Sequence, residues 1–327
     1  MSYQVTPESF ATLTSLWKNT RNKLRWPSVF TLPPWLEVWW RSFQPDAEQF
    51  LAAVRGEQEV LGIAPLMIEK GRALFAGDAD VCDYMDFITV PGREPDFFAA
   101  VLDELKRHNV RRLLLEHLRP DSTVMTTLLP LARQRNYRVQ CGEDAVSLEV
   151  DLPATWEEYL ALLNRKQRHE LRRKIRRLSE ADDVAYHCAE KSSEDIDSGM
   201  DTFLKLFSRS EEVKAGFMTP PREKFFRTIA RAMAEMNILR IGTLEVEHKA
   251  TAMILGFVYD DTFYLYNSAY DPDYRHLSVG ILSKALCIKE NIENGMKKWD
   301  FLKGDEIYKH HLGGKAVPLY RCEIEID

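Results

Sequence analysis

Two periods of apolar residues divide the chain into elements. Over residues 95–108, Phe98, Val101, Leu102 and Leu105 fall on one face of a 3.6-residue period, which predicts an amphipathic helix. Residues 8–42 also read as helical, interrupted by a Pro-containing loop. Thr31-Leu32-Pro33-Pro34 turns into a helix over 35–43, with proline tolerated in the first turn. The aromatic set Trp17, Phe30, Trp35, Trp39 and Trp40 has the spacing of core residues. β-like runs at 49–55 and 60–68 flank Gly56-Glu57 and predict a hairpin. Shorter runs at 73–76 and 87–90 add strands, and a run at 110–116, a helix over 121–135 and strands at 137–140 and 145–152 follow. Alternation of strands and helices predicts a mixed α/β layer.

Past Pro153 the pattern restarts. Thr155-Trp156-Glu157-Glu158 has the form of a capping box opening a long helix, carried by Leu160, Leu163, Leu171, Ile175 and Leu178 at helical spacing. A strand at 184–189, helices at 193–213 and 220–235 with a mobile loop at 214–219 between them, and a three-stranded meander over 238–268 come next. A polar loop at 270–278 then turns into a helix that begins near Val279 and stops at Asn294-Gly295, a C-cap pair. A strand at 298–302, a loop of titratable groups at 304–311 and a last strand at 316–326 complete the chain.

At 327 residues and 45% hydrophobic content the chain exceeds one ordinary core and fits two domains, 1–152 and 153–327. The start has no basic region followed by an apolar one, so no signal peptide is expected. The apolar run at 250–259 is far short of a membrane span. Five cysteines (82, 141, 188, 287, 322), odd in number and without Cys-x-x-Cys spacing, fit a reducing cytoplasm and argue against structural zinc. The net charge of −6 hides an asymmetry: residues 165–177 hold eight Lys/Arg and one Glu (+7), so the rest sums to −13. An acidic surface disfavours non-specific nucleic-acid binding, while one cationic patch attracts a single anionic ligand. The sequence carries no signal of oligomeric state.

The chemical clue is Arg275-His276-Leu277-Ser278-Val279-Gly280, a small-residue turn feeding a helix. Free backbone N–H groups and the helix dipole there suit a diphosphate, and Gly280 would let a ligand approach the backbone. No Gly-x-Ser-x-Gly, P-loop or dinucleotide glycine pattern occurs, which sets aside those hydrolase and nucleotide-binding classes. Asp78, Asp80, Asp83 and Asp86 crowd one loop but lack the glycine and distal glutamate of an EF-hand, so a solvated turn is expected. Asp83, Tyr84 and Asp86 are nonetheless candidates for a binding cleft. His310 and His311 are adjacent and point apart, so no metal pair is expected.

Arg275-x-x-Ser278-x-Gly280 resembles the Gln/Arg-x-x-Gly-x-Gly/Ala signature of GNAT N-acyltransferases, with Ser in place of the first Gly. The ordered series Tyr270-Asp271-Pro272, Ser278-Val279-Gly280, Asp300-Phe301 and Gly304-Asp305-Glu306-Ile307-Tyr308-Lys309 is similar to the CelD-like branch related to the FemAB peptidyltransferases. Over residues 150–315 the resemblance is good; over the first half it is loose. It implies an α/β fold of tandem GNAT-like domains, FemAB-like, the first degenerate and without a cofactor turn, with a chain end that in FemAB-like proteins returns toward the first domain. It implies acetyl-CoA or another acyl-CoA as donor, no metal, and a primary amine of a small or envelope-related molecule as acceptor. Arg275, Leu277, Ser278, Val279 and Gly280 would cradle the diphosphate. Arg168 and Arg172, in an Arg-rich helix like that of the CelD-like branch, would reach a phosphate. Asp305 and Glu306 are then candidate bases, Tyr308 the acid for the departing thiolate, and Lys309 an oxyanion or carboxylate partner, or half of a structural Asp305–Lys309 pair. The competing classes are a FemAB-type transferase using aminoacyl-tRNA, although no heptad run for a coiled-coil insertion appears, and a non-catalytic module that binds an anion or a membrane surface.

Overall fold

A computed structural model describes residues 3–19, 23–57, 59–78, 80–189, 193–210 and 216–326. The chain divides into two compact units, one made of Met1–Val146 and Val317–Asp327, the other of Ser147–Ala316.

The first unit begins with β1 (Gln4–Pro7), which the sequence pattern did not indicate, then α1 (Phe10–Lys18) and α2 (Pro33–Phe43). The hairpin at Gly56-Glu57 joins β2 (Glu48–Arg55) to β3 (Val60–Glu69), followed by β4 (Arg72–Phe75), β5 (Ile88–Thr89) and α3 (Glu94–Arg107). β6 (Arg112–Leu118) precedes a π-helical turn, Val124–Leu128, that continues into α4 (Leu129–Gln134). A single strand, β7 (Arg138–Asp151), replaces the two strands expected over that stretch and carries the chain into the second unit. β13 (Lys315–Glu325), the last strand of the chain, pairs antiparallel with β6, giving this unit the order β1-β2-β3-β4-β6-β13. Phe30, Trp35, Phe87, Phe97 and Phe98 form its fully buried core, while Trp17 and Trp40 are half-buried.

The Asp-rich loop is partly structural. Asp78 accepts from the Trp39 indole at 2.9 Å, and buried Asp86 accepts from the Thr123 N–H and hydroxyl, both at 2.7 Å, capping the π-turn. The cysteine spacing was expected to fit a reducing cytoplasm; Cys141 on β7 and Cys322 on β13 are instead joined in a disulfide, as neighbouring strands bring the two Cα atoms within 4.1 Å.

The second unit opens with the Thr155/Glu158 capping box. The long helix expected after it is two helices, α5 (Trp156–Leu162) and α6 (Arg165–Ser179), because Leu163 is extended and Asn164 and Gln167 form a second capping box. β8 (Ala185–Ala189), α7 (Ser193–Ser210) and α8 (Pro220–Ala234) follow, and residues 214–215 of the loop expected between the helices lie outside the described residues. β9 (Leu239–Val246), β10 (Lys249–Tyr259) and β11 (Thr262–Tyr270) form the meander. A 3-10 turn, Pro272–Leu277, feeds α9 (Val279–Glu293), and β12 (Lys298–Lys303) and α10 (Ile307–His311) complete the unit. β8 to β11 pair antiparallel in sequence order. β12 lies parallel to β11 and antiparallel to the end of β7. Among the described residues, no helix is long and apolar enough to cross a membrane.

Candidate active site

The parallel pair β11–β12 is matched over only three positions, Thr262↔Lys298 to Tyr264↔Asp300. Beyond them each strand follows its other neighbour: β11 stays on β10 to Ala252↔Tyr270, and β12 on β7 to Lys303↔Ser147. Parted strands of this kind open a wedge whose main-chain groups suit an extended, amide-bearing ligand.

The turn before α9 lies just past the end of β11. Its Asp271 caps Asp273, and Arg209 from α7 reaches both carboxylates at 3.1 Å, fixing the loop. Ser278 adopts a left-handed conformation, φ 61°, and its N–H donates to the Arg275 carbonyl at 3.0 Å. The Ser278 carbonyl accepts from Ile281 and Leu282. The Val279 and Gly280 N–H groups therefore head a 15-residue helix with no acceptor among the described residues. Arg275 is exposed and has no ion-pair partner among the described residues; Leu277 and Ser278 are half-buried. Gly280 also has a packing role. A Cβ there would come within 3.2 Å of the Tyr270 ring, so the glycine makes room for that ring.

The loop after β12 is built around Lys309, which is 2% exposed. Its Nζ donates to the carbonyls of Leu302 (3.1 Å), Lys303 (2.7 Å) and Gly304 (3.1 Å) and lies 2.9 Å from Glu306 Oε2. Four oxygens thus surround three protons, which corrects the expected role as an open oxyanion or carboxylate partner. The pairing with Asp305 is corrected as well: Asp305 instead meets His310 Nε2 at 2.6 Å. That pair is open to solvent, the side chains being 67% and 44% exposed. Tyr308 is half-buried, and Lys284 Nζ sits 4.7 Å over its ring while donating to the Gly280 carbonyl at 2.8 Å. Lys284 therefore connects the first turn of α9 to Tyr308. Neither Lys284 nor His310 was picked out as a site residue; the available signal for Lys284 was a lysine among the apolar positions of α9.

α6 packs beside the Pro272–Leu277 turn and α9, and Gln167 donates to the His310 carbonyl at 2.9 Å, holding the start of α6 to α10. Arg172 is engaged by Glu157 at 2.7 Å, and Arg168 points to the Leu160 carbonyl at 3.5 Å. These two line an open hollow of about 580 Å³ with Arg165, Lys166 and His169, and no residue of the Arg275–Gly280 turn lines it. The structure thus groups Asp305, Glu306, Tyr308 and Lys309 on one loop and Arg275 to Gly280 on one turn, and places Arg168 and Arg172 in a separate cationic hollow.

Residues 165–310 match the family model described as an acetyltransferase (GNAT) domain. No curated protein matches the chain. Among solved structures, FemX is similar in fold at 12% identity, covering 98% of this chain and 96% of its own, with a TM-score of 0.65. A conserved protein of unknown function from Bacteroides thetaiotaomicron shows 12% identity, 99% and 100% coverage and a TM-score of 0.59. The C-terminal domain of a putative lysylphosphatidylglycerol synthetase from Agrobacterium fabrum shows 11% identity, 84% and 83% coverage and a TM-score of 0.56. The mixed α/β fold is thus shared with FemX, and the stretch 165–310 is similar to the acetyltransferase (GNAT) domain family.

Proposed function

We propose that the unit Ser147–Ala316 transfers an acyl group from acyl-CoA to a primary amine of a small acceptor. The observation that supports this best is the pair of unengaged N–H groups at Val279 and Gly280, set beyond the wedge between β11 and β12. A diphosphate fits such a helix start, and Arg275 adds an exposed guanidinium beside it. The amide-bearing arm of CoA fits the wedge.

The amine nitrogen attacks the thioester carbonyl, and the carbon–sulfur bond breaks. The proton leaving the amine goes to the Asp305–His310 pair. Asp305 holds Nε2, which leaves Nδ1 as the acceptor. Tyr308 gives its phenolic proton to the departing thiolate and regains one from solvent. Glu306 belongs to the Lys309 lock, so its part is to position the loop.

Saturating acetyl-CoA should raise the thermal midpoint of the purified protein. Arg275→Glu, at an exposed position, should leave the unliganded midpoint unchanged and weaken acetyl-CoA binding about tenfold, the worth of one charge-assisted contact. If acetyl-CoA and longer acyl-CoAs all leave the midpoint unmoved, the donor is not acyl-CoA.

One observation favours a second reading, aminoacyl transfer from aminoacyl-tRNA. Arg165, Lys166, Arg176 and Arg177 on α6 are exposed and have no ion-pair partner among the described residues, a stripe suited to a polyphosphate backbone.

A further inference from the structure

Away from the acyl-transfer loops, four polar side chains meet where α9 crosses the edge strand β8. Tyr186 and Cys188 lie two apart on β8 and so share a face. Cys287 and Glu290 lie three apart on α9, again on one face. The helix packs against the strand, and the two thiol sulfurs and a Glu290 carboxylate oxygen all fall within 4.8 Å of one another. We propose that Cys188, Cys287 and Glu290 form a binding site for a zinc-class divalent cation, with the Tyr186 hydroxyl or a water as fourth ligand.

The chemistry of the donors is the first reason. Two thiolates with one carboxylate suit a borderline-soft ion such as Zn²⁺ rather than magnesium or calcium. Tetrahedral zinc needs sulfur–sulfur and sulfur–oxygen separations of about 3.5–4 Å, so the three donors need to close by no more than about 1 Å.

The second reason is independent of spacing. Glu290 Oε2, a member of this cluster, is buried without a hydrogen-bond partner, and the buried Tyr186 hydroxyl lies against Cys287 beside it. Space for the fourth donor is built in. Gly242 sits directly opposite Cys188 in the β8–β9 ladder, and a Cβ there would fall 2.5 Å from Tyr186 Oη. Asn291 Nδ2 lies 3.5 Å from Cys287 Sγ and would support a thiolate, the usual task of an outer partner. The nearby guanidinium of Arg240 is occupied by the Asn237 and Leu239 carbonyls, both at 2.8 Å.

On binding, the cation replaces the two thiol protons, which pass to solvent together with any proton held on Glu290, so that all three donors ligate as anions. The site would tie the edge strand to α9, the helix whose start carries the Arg275–Gly280 turn, and it stands whether or not the donor is acyl-CoA.

Cobalt(II) is the probe. Added to the freshly purified whole protein without reductant, so that the Cys141–Cys322 disulfide stays closed, it should give a thiolate-to-cobalt charge-transfer band at one equivalent, and zinc should abolish the band while raising the thermal midpoint. Cys188→Ala, on a half-exposed edge position, leaves the buried Cys82 and Cys287 in place and should lose the band. Glu290→Gln should keep a band but weaken affinity by more than the roughly 10–100-fold typical of an outer partner. No band in the wild type, an undiminished band in Cys188→Ala, or unchanged affinity in Glu290→Gln would each overturn the proposal.

Discussion

A lysine ammonium has three protons, and at Lys309 three carbonyls and a carboxylate compete for them. The three carbonyls belong to consecutive residues at the exit of β12, where Leu302 is left-handed and Gly304 has φ 112°. The backbone bends sharply, its carbonyls converge, and a buried cation satisfies them. Replacing Lys309 with Met keeps the volume and removes the donor, leaving carbonyls unsatisfied. We expect a loss of about 2–4 kcal/mol in stability, read from urea unfolding. An unchanged urea midpoint with lowered turnover would instead return Lys309 to the chemistry. The sequence singled out Lys309 but not its partner. Asp305 and Glu306 are equivalent by composition, and which one reaches Lys309 depends on the Gly304 dihedral. A Cβ at Gly304 would strike Glu306 Oε2 at 2.5 Å, so the glycine is what lets that carboxylate fold back.

At the scale of elements, caps decide where helices begin, and caps of the Ser/Thr/Asn/Asp type were only partly legible. Thr155 was read correctly because a strand and a proline precede it. Asn164 was not, because apolar residues at helical spacing continue across it, and its pairing with Gln167 ends one helix and starts another. β1 is four residues long with no clear alternation, so pattern had little to report. The cap supplied by Asp86 is a long-range one, 37 residues from Thr123, and no local window contains it. Its donors favour the carboxylate, but removal from water outweighs them and lifts its pKa to about 6. A folded-state pKa above the unfolded value gives stability that is complete below about pH 4 and lost as pH rises through about 6. The span corresponds to about 3 kcal/mol. Urea midpoints taken between pH 4 and pH 7 should therefore fall for the wild type and change less for Asp86→Asn. Parallel curves would show that Asp86 does not carry the dependence.

At the scale of the whole molecule, the order of the second half was legible because helices, meander and turn–helix–strand appear in sequence order with short connections. The pairing of β13 with β6 was not, since its partners lie some two hundred residues apart, as in Leu115↔Cys322, and nothing local encodes them. Charge is the other whole-chain property, and it separates the two donors. A chain of net −6 repels polyanions at long range, and only the +7 segment in α6 opposes that. An RNA held by six or more phosphate contacts would lose about 10³-fold or more in affinity between about 50 and about 200 mM salt, by counterion release. A CoA diphosphate held by two backbone N–H groups and one arginine depends mainly on short contacts, which salt screens weakly. Calorimetric titration with acetyl-CoA at the two salt concentrations should thus show a fall of about tenfold or less. Arg176→Glu/Arg177→Glu, on the far turn of the same helix, should leave that affinity unchanged. If acetyl-CoA binding is undetectable while tRNA binds with a steep salt slope that the Arg176→Glu/Arg177→Glu protein flattens, the basic helix is the donor site and the transferred group is aminoacyl.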